Sequence, residues 1–530
     1  MKKSPTQFWI VVLALGWLFD LLFWGHEPGG ISFSIYALIT LLAGFLLLSC
    51  EGIRPNGKAL ILVPLILIFA VFTFLRREPL TVFLSHTLTL VLMAGLVVTY
   101  RGGRWMEYGL ADYFARGFDL LASAFIRAGI FSAEARRIKQ ETAANGEKRP
   151  SPVWPVARGI LVAIPVVAFF AALLSSADLV FAQRLDDFIA LFRLENLPEY
   201  IFRAIYIALL AYVLAGVYLH AATRSSDEKL LGLEKPLVPR FFGFTEAAIV
   251  LGSVILLFGA FVAIQFGYFF GGQANIHLEG FTYAEYARRG FGELAAVAFF
   301  SLLLFLGLSA VVKREISAQQ KIFSALGVAL TLLVGVMLVS AFQRLVLYET
   351  AYGFTRLRTY THIFMIWLAL LLVAVVVLDV IQRQRIFALA VLLTSVGFAL
   401  TLALLDVDSF IVRQNIQRFE QGETLDVGYL ASLSADAVPG MVSLYQSPSV
   451  EQATRERLGA ALACYQFRAG SRRPDTAWQA FHISDHRASA DLALVAGELT
   501  GYQVNDSASW PITVTTPKGL EFDCYSSTFD

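Results

Sequence analysis

Charge is scarce in this chain. Asp, Glu, Lys and Arg make up 16% of its 530 residues, against about a quarter in an ordinary soluble protein. The charges nearly cancel, with 42 basic and 41 acidic residues, so the balance gives no basic surface of the kind nucleic acid requires. Cysteine is rarer still, at three residues, and no Cys/His spacing suits a structural zinc. Also missing are a phosphate-cradling glycine loop and a G-x-S-x-G nucleophile elbow. No internal repeat of fixed period is visible. No small-x-small cleavage pattern ends the first apolar run, which reads Phe-Asp-Leu-Leu-Phe-Trp-Gly-His-Glu-Pro. That run is therefore expected to be a retained helix.

What the chain has instead is apolar length. A membrane-spanning helix needs roughly 20 mostly apolar residues. Runs of that kind cover Phe8–Trp24, Ile31–Ser49, Ala59–Leu75, Thr81–Tyr100, Gly159–Ala177 and Ile201–His220. They continue at Ala247–Phe270, Phe291–Val312, Phe323–Phe342, Ile363–Ile381 and Ile386–Leu405. That makes about eleven spans, too long for barrel strands. Lipid supplies no hydrogen bonds, so each span must satisfy its own backbone, which a helix does. The expected fold is an all-α polytopic membrane protein with a small α+β tail.

The Lys/Arg distribution sets the expected orientation. With the N-terminus cytoplasmic, the cytoplasmic segments hold about twice as many Lys and Arg as the external loops. The clearest exception is the external turn Arg76–Arg77. An odd number of spans then puts the tail outside the cell membrane. Cys464 and Cys524 both fall in that tail, where an oxidising compartment suggests a disulfide, the alternative being two thiols packed as small apolar groups. Four segments follow: a four-helix membrane segment over 1–100, a cytoplasmic amphipathic and linker segment over 101–158, a seven-helix membrane domain over 159–405 and an extracytoplasmic tail over 406–530. In the second, Phe114, Phe118, Leu121, Phe125 and Ile126 recur at helical spacing, as on a helix lying along the inner surface.

Two stretches put charge and tyrosine beside apolar runs. The first is Thr282-Tyr-Ala-Glu-Tyr-Ala-Arg-Arg-Gly-Phe-Gly-Glu. As a helix it places Glu285, Arg289 and Glu293 on one face, with Arg289 able to neutralise Glu293 at the start of a span. The second is Tyr348-Glu-Thr-Ala-Tyr-Gly-Phe-Thr-Arg-Leu-Arg, where a continuous helix would align Glu349, Tyr352 and Arg356. The candidate binding cluster is thus Tyr283, Glu285, Tyr286, Arg288, Arg289, Glu293, Glu349, Tyr352, Arg356 and Arg358. These residues either pair with one another and lock the helix ends, or clamp a phosphate or carboxylate through bidentate guanidinium groups. Weaker candidates lie elsewhere. His482 and His486 sit at i, i+4 but without the Glu of a metalloprotease helix between them, so no metal or other cofactor is expected. Asp20 and Asp379 lie near span ends, where they are expected to reach water. Asp406 and Asp408 read as a solvated helix start, and His86 as an interhelical hydrogen-bonding group.

The motifs Tyr-Ala-Glu-Tyr-Ala-Arg-Arg-Gly-Phe and Ala-Tyr-Gly-Phe-Thr-Arg-Leu-Arg resemble those of an uncharacterised bacterial multi-pass membrane family, domain of unknown function 4173. So does Leu-Asp-Val-Gly-Tyr-Leu-Ala-Ser-Leu-Ser-Ala-Asp-Ala-Val-Pro in the tail. The resemblance covers roughly Gly159 to Tyr445. It implies a topology and marks Tyr283, Glu285, Tyr286, Arg288, Arg289, Tyr352, Gly353, Arg356 and Arg358, without implying an activity.

Three function classes stay open: a non-enzymatic membrane component (sensor or partner scaffold), a transporter of a small solute or lipid, and a membrane transferase using a lipid-linked donor. The transferase is disfavoured by the short first external loop, Gly25-His-Glu-Pro-Gly-Gly. The transporter is disfavoured by the absence of matched helix breaks in the spans. The expected partners are the lipid bilayer and a membrane or signalling protein.

Overall fold

The computed structural model describes residues 5–25, 30–144, 153–178, 180–185, 197–226, 230–231, 239–270, 291–471, 478–505 and 512–524. Among these, ten helices are long and apolar enough to cross a membrane. They are α1 (Pro5–Phe23), α2 (Ile31–Cys50), the pair α3 (Gly57–Leu60) and α4 (Leu62–Leu75), and α5 (Pro79–Thr99). After α6 (Leu110–Ala144) and α7 (Val153–Ala177) come α8 (Leu197–Thr223), α9 (Phe244–Phe270), α10 (Phe291–Val311), α11 (Ser317–Tyr352), α12 (Arg356–Val380) and α13 (Phe387–Leu405). Ten of the eleven apolar runs meet that criterion among the described residues. The run Gly159–Ala177 lies in α7, a continuous helix of 25 residues that contains Pro165. A proline explains the break between α3 and α4. Pro64 has no N–H to return to the carbonyl of Leu60, and the helix restarts at Leu62.

Helix α11 runs well past its apolar stretch. At 36 residues it is about 54 Å long, against about 30 Å for a bilayer core. It stops at Gly353, whose φ is +80°. A Cβ there would sit 2.6 Å from Asn415 Oδ1 and 2.8 Å from an Arg418 nitrogen, so only glycine fits the turn.

The chain forms two compact units that interleave in sequence. One comprises Met1–Trp24, Thr40–Arg54 and Asp119–Arg224. Within it α1 packs on α8, and Asp20, 3% exposed, is held by Arg203 and Tyr206. Asp20 is thus buried and paired instead of reaching water. Phe114 and Phe118, and then Leu121, Phe125 and Ile126, lie exposed along α6.

The other unit comprises Gly25–Ile39, Pro55–Phe118 and Ser225–Asp530. One of its cores runs through α9 to α12 and includes Leu251, Phe305, Phe323, Leu345 and Leu368. The second belongs to the tail and is continuous with span ends: Ile363 and Leu402 pack with Ile411, Met441, Leu458, Cys464 and Val495. Asp379 is buried at the opposite end of α12, where it accepts a bond from Ser324 and lies 3.7 Å from Arg314. His86 bonds the carbonyl of Val82 at 2.8 Å in its own helix and faces the ring of Phe33. The expected interhelical bond is replaced by a local one.

The tail begins with α14 (Val407–Glu420) and continues through α15 (Val427–Ala431), α16 (Val438–Gln446), α17 (Gln452–Ser471) and α18 (Ile483–Leu499). Three short antiparallel strands follow: β1 (Gln503–Asn505), β2 (Thr513–Thr515) and β3 (Glu521–Asp523), in the order β1-β2-β3. A disulfide joins Cys464 on α17 to Cys524, just past β3, so it ties the sheet to the helical core. The remaining cysteine, Cys50, is free and exposed. Closing a loop of 60 residues should stabilise the tail by about 4 kcal/mol on the chain-entropy account. Protein purified without reductant should therefore take up one alkyl group by intact mass, at Cys50, and three after reduction under denaturing conditions.

Candidate functional site

The ends of a helix leave backbone groups without partners. In this unit the tail supplies several of them. The Ile31 N–H at the start of α2 donates to the carbonyl of Phe481 at 3.0 Å, and Ser32 donates to Gln479 at 2.7 Å. At the end of α4, Ser484 donates to the carbonyl of Leu75 at 2.8 Å. Helix α5 caps itself: Glu78 accepts from the amides of Leu80 and Thr81 at 2.8 and 2.7 Å, with Pro79 at the first helical position. The Tyr360 hydroxyl of α12 donates to the same carboxylate, which is 1% exposed.

Charge-assisted contacts join the same elements. Arg356, the first residue of α12, makes a two-pronged pair with Asp408 of α14, its Nε reaching Oδ1 at 2.7 Å. Its backbone N–H donates to the Tyr429 hydroxyl at 2.7 Å. Asp408 is 0% exposed and also accepts from the Ser434 amide at 2.7 Å. Arg76 pairs with Asp406 and donates to the carbonyl of Ala403 at 2.9 Å. The Arg77 amide donates to Asp436 at 2.8 Å, and its guanidinium lies 3.2 Å from Asp485. Asp408 is therefore a buried anchor and Asp406 a half-buried, paired one, and neither is a solvated helix start. Asp406 has φ +58°, a left-handed conformation that Asp tolerates better than most residues, and it redirects the chain from α13 into α14. Burial, reinforced by the charges of Asp436 and Asp408, pushes Asp406 up to about 6 from 3.8, although Arg76 pulls it down.

Beside these groups lies a recess of about 610 Å³ between the span ends and the tail. Arg77 and Arg356 reach it from the spans, and Arg468, His482, Asp485 and His486 from the tail. Arg468 donates to the carbonyl of Ala431 at 2.7 Å and lies over the ring of Tyr465. His482 is buried, with Nδ1 3.0 Å from the carbonyl of Ala480 and Nε2 3.4 Å from Arg77, while His486 is exposed. Among the described residues no group of three or more His, Cys, Asp or Glu could hold a metal.

The sequence candidates distribute unevenly around this site. Tyr283, Glu285, Tyr286, Arg288 and Arg289 lie outside the described residues. Glu293 is exposed in the first turn of α10. Glu349, Tyr352 and Arg356 do not share a face, because Gly353 ends α11 before α12 begins. Glu349 is 3% exposed and lies 3.1 Å from His362 of α12, whereas Tyr352 is exposed. Arg358 stacks over Tyr348 and donates to the carbonyl of Gly353, closing the turn. Of the binding-cluster candidates among the described residues, only Arg356 reaches the recess, and the weaker pair His482 and His486 lines it as well. Arg77, Arg468 and Asp485 carry no motif that singles them out. Their nearest signal is the Arg76–Arg77 turn, whose arginines face carboxylates of the tail.

This is an integral, multi-pass helical membrane protein. The chain belongs to the family described as domain of unknown function DUF4153, which matches residues 62–444. That match overturns the resemblance to domain of unknown function 4173, whose motifs lie almost wholly inside the matched stretch. No curated protein and no solved structure matches the chain.

Removing Arg356 would leave Asp408 buried with a single amide donor. Arg356→Ala should lower stability by about 3–5 kcal/mol, seen as a large drop in unfolding temperature in detergent. Arg356→Lys keeps the charge but loses the fork and should fall between. Asp406 gives a pH test. Its pKa is raised on folding, so its contribution is greatest below 3.8 and is lost as pH rises through about 6. Asp406→Asn mimics the neutral form and suits the same backbone. Its stability relative to wild type should therefore rise between about pH 5 and about pH 7. The opposite trend would mean that Arg76 dominates the site.

Proposed function

We propose that this protein is a non-enzymatic component of the cytoplasmic membrane, a sensor or partner scaffold whose tail reads the outer face. One observation carries the reading: the arginines that fix the tail to the span ends also line the recess beside it. Arg356 and Arg77 both line the recess while each pairs with a carboxylate, Asp408 behind the wall and Asp485 on it. Whatever enters the recess competes with Asp408 and Asp485 for the same guanidinium groups, so occupancy would alter how the tail is held on α5, α12 and α13. The lipid bilayer and a membrane or signalling protein are the partners this reading implies.

The reading puts the N-terminus in the cytoplasm and the tail outside. Two facts support it: the Lys/Arg bias of the loops, and the tail disulfide, which belongs to an oxidising compartment. Ten crossings would return the tail to the side of the N-terminus. The proposal therefore makes α7 the eleventh crossing, and 25 helical residues give it about 37 Å, enough to cross. Alkaline phosphatase fused after Asp408 should be active, and fused after Lys148 inactive. The reverse pattern would overturn the orientation.

Coupling has its own test. In Asp408→Asn, hydrogen exchange should quicken both in α14 and at the start of α12, because one ion pair holds the two. Faster exchange in the tail alone would remove the sensing reading.

A further inference from the structure

We propose that the recess between the tail and the span ends is a binding site for a phosphate ester group. The inference rests on the sensing reading and names the chemistry of its ligand. Three guanidinium groups line the recess, from Arg77, Arg356 and Arg468, with Asp485 the one carboxylate on its wall among the described residues. Guanidinium is planar and offers paired N–H donors matched to phosphate oxygens. Asp408 and Asp436 stand behind that wall, where Asp408 engages Arg356 and Asp436 the backbone amide of Arg77. They hold the Arg356 guanidinium and the backbone of Arg77 in place at the cavity wall.

The cavity is far larger than a phosphate, and its other wall is apolar. Leu433, Val438, Phe481 and Leu492 face the same space. A ligand that fills both walls has an anionic phosphate and a carbon body. Position adds to this. Pro79 and Arg356, which begin α5 and α12, both border the recess, so it lies level with the ends of two spans, where lipid headgroups sit. The phosphate could come from an anionic lipid headgroup or from a soluble phosphate ester, and the two sources share this chemistry.

The test uses the full chain and follows its unfolding temperature. In neutral detergent, glycerol phosphate is titrated against chloride at equal ionic strength. In parallel, the protein is placed in nanodiscs of phosphatidylcholine with or without phosphatidylglycerol. Two variants report on the site without touching the pairs that anchor the tail. Arg468→Gln removes one donor, and Ser489→Asp puts a carboxylate on the exposed rim. Arg413→Gln, an exposed arginine on α14 outside the recess, is the control.

The expected result is a saturable rise in unfolding temperature in at least one arm. Apparent affinity should weaken at least about tenfold in Arg468→Gln and Ser489→Asp and stay unchanged in Arg413→Gln. A rise with glycerol phosphate assigns a soluble ester, and a rise with phosphatidylglycerol alone assigns a headgroup. No rise in either arm, or a rise that both recess variants keep, overturns the proposal. Hydrogen exchange of α12 in the bound state separates this from the sensing reading. Binding without any change there keeps the site and removes the sensor.

Discussion

Burying a carboxylate is tolerated only when a cation and hydrogen-bond donors come with it. That constraint organises both compact units. In one, Asp20 of α1 is buried against Arg203 of α8. In the other, buried Asp408, Asp379 and Asp112 meet Arg356, Arg314 and Arg385, and half-buried Asp406 meets Arg76. Each of these pairs joins segments far apart in the chain or separate helices, so each fixes a contact that apolar packing alone would leave free to slide. Leu, Val and Phe fill space without choosing a register, while a forked pair with a single geometry does choose one.

The tail shows what this buys in structural terms. Its core is continuous with the apolar ends of α12 and α13, and its polar atoms finish the helix ends that the spans leave open. Ser484 serves α4, and the carbonyls of Phe481 and Gln479 serve the start of α2. A domain attached in this way is not a pendant on a linker. A force or a ligand acting on it acts on the spans as well, which is the physical basis for reading the recess as a sensing site. The long extension of α11 belongs to the same arrangement, since its end at Gly353 abuts Asn415 and Arg418 of the tail.

The apolar runs were legible because a bilayer imposes a length, and length survives in a linear sequence. The membrane class and the positions of the ten spans follow from local pattern. Local pattern was less informative about breaks. A helical reading of Tyr348 to Arg358 aligned Glu349 with Arg356, yet Gly353 ends one helix and the two residues part.

The sequence by itself determined that this chain lives in a membrane, because hydrophobic length and a shortage of charge are properties of each segment alone. Only the tertiary structure decided which charges matter. Asp408 reads in sequence like any polar residue after a span, and Arg77 like a misplaced cation. Their burial and their partners come from segments separated by tens to hundreds of residues, and no local pattern encodes a partner at that distance. The recess exists because those segments meet, so its lining was invisible until the chain was folded.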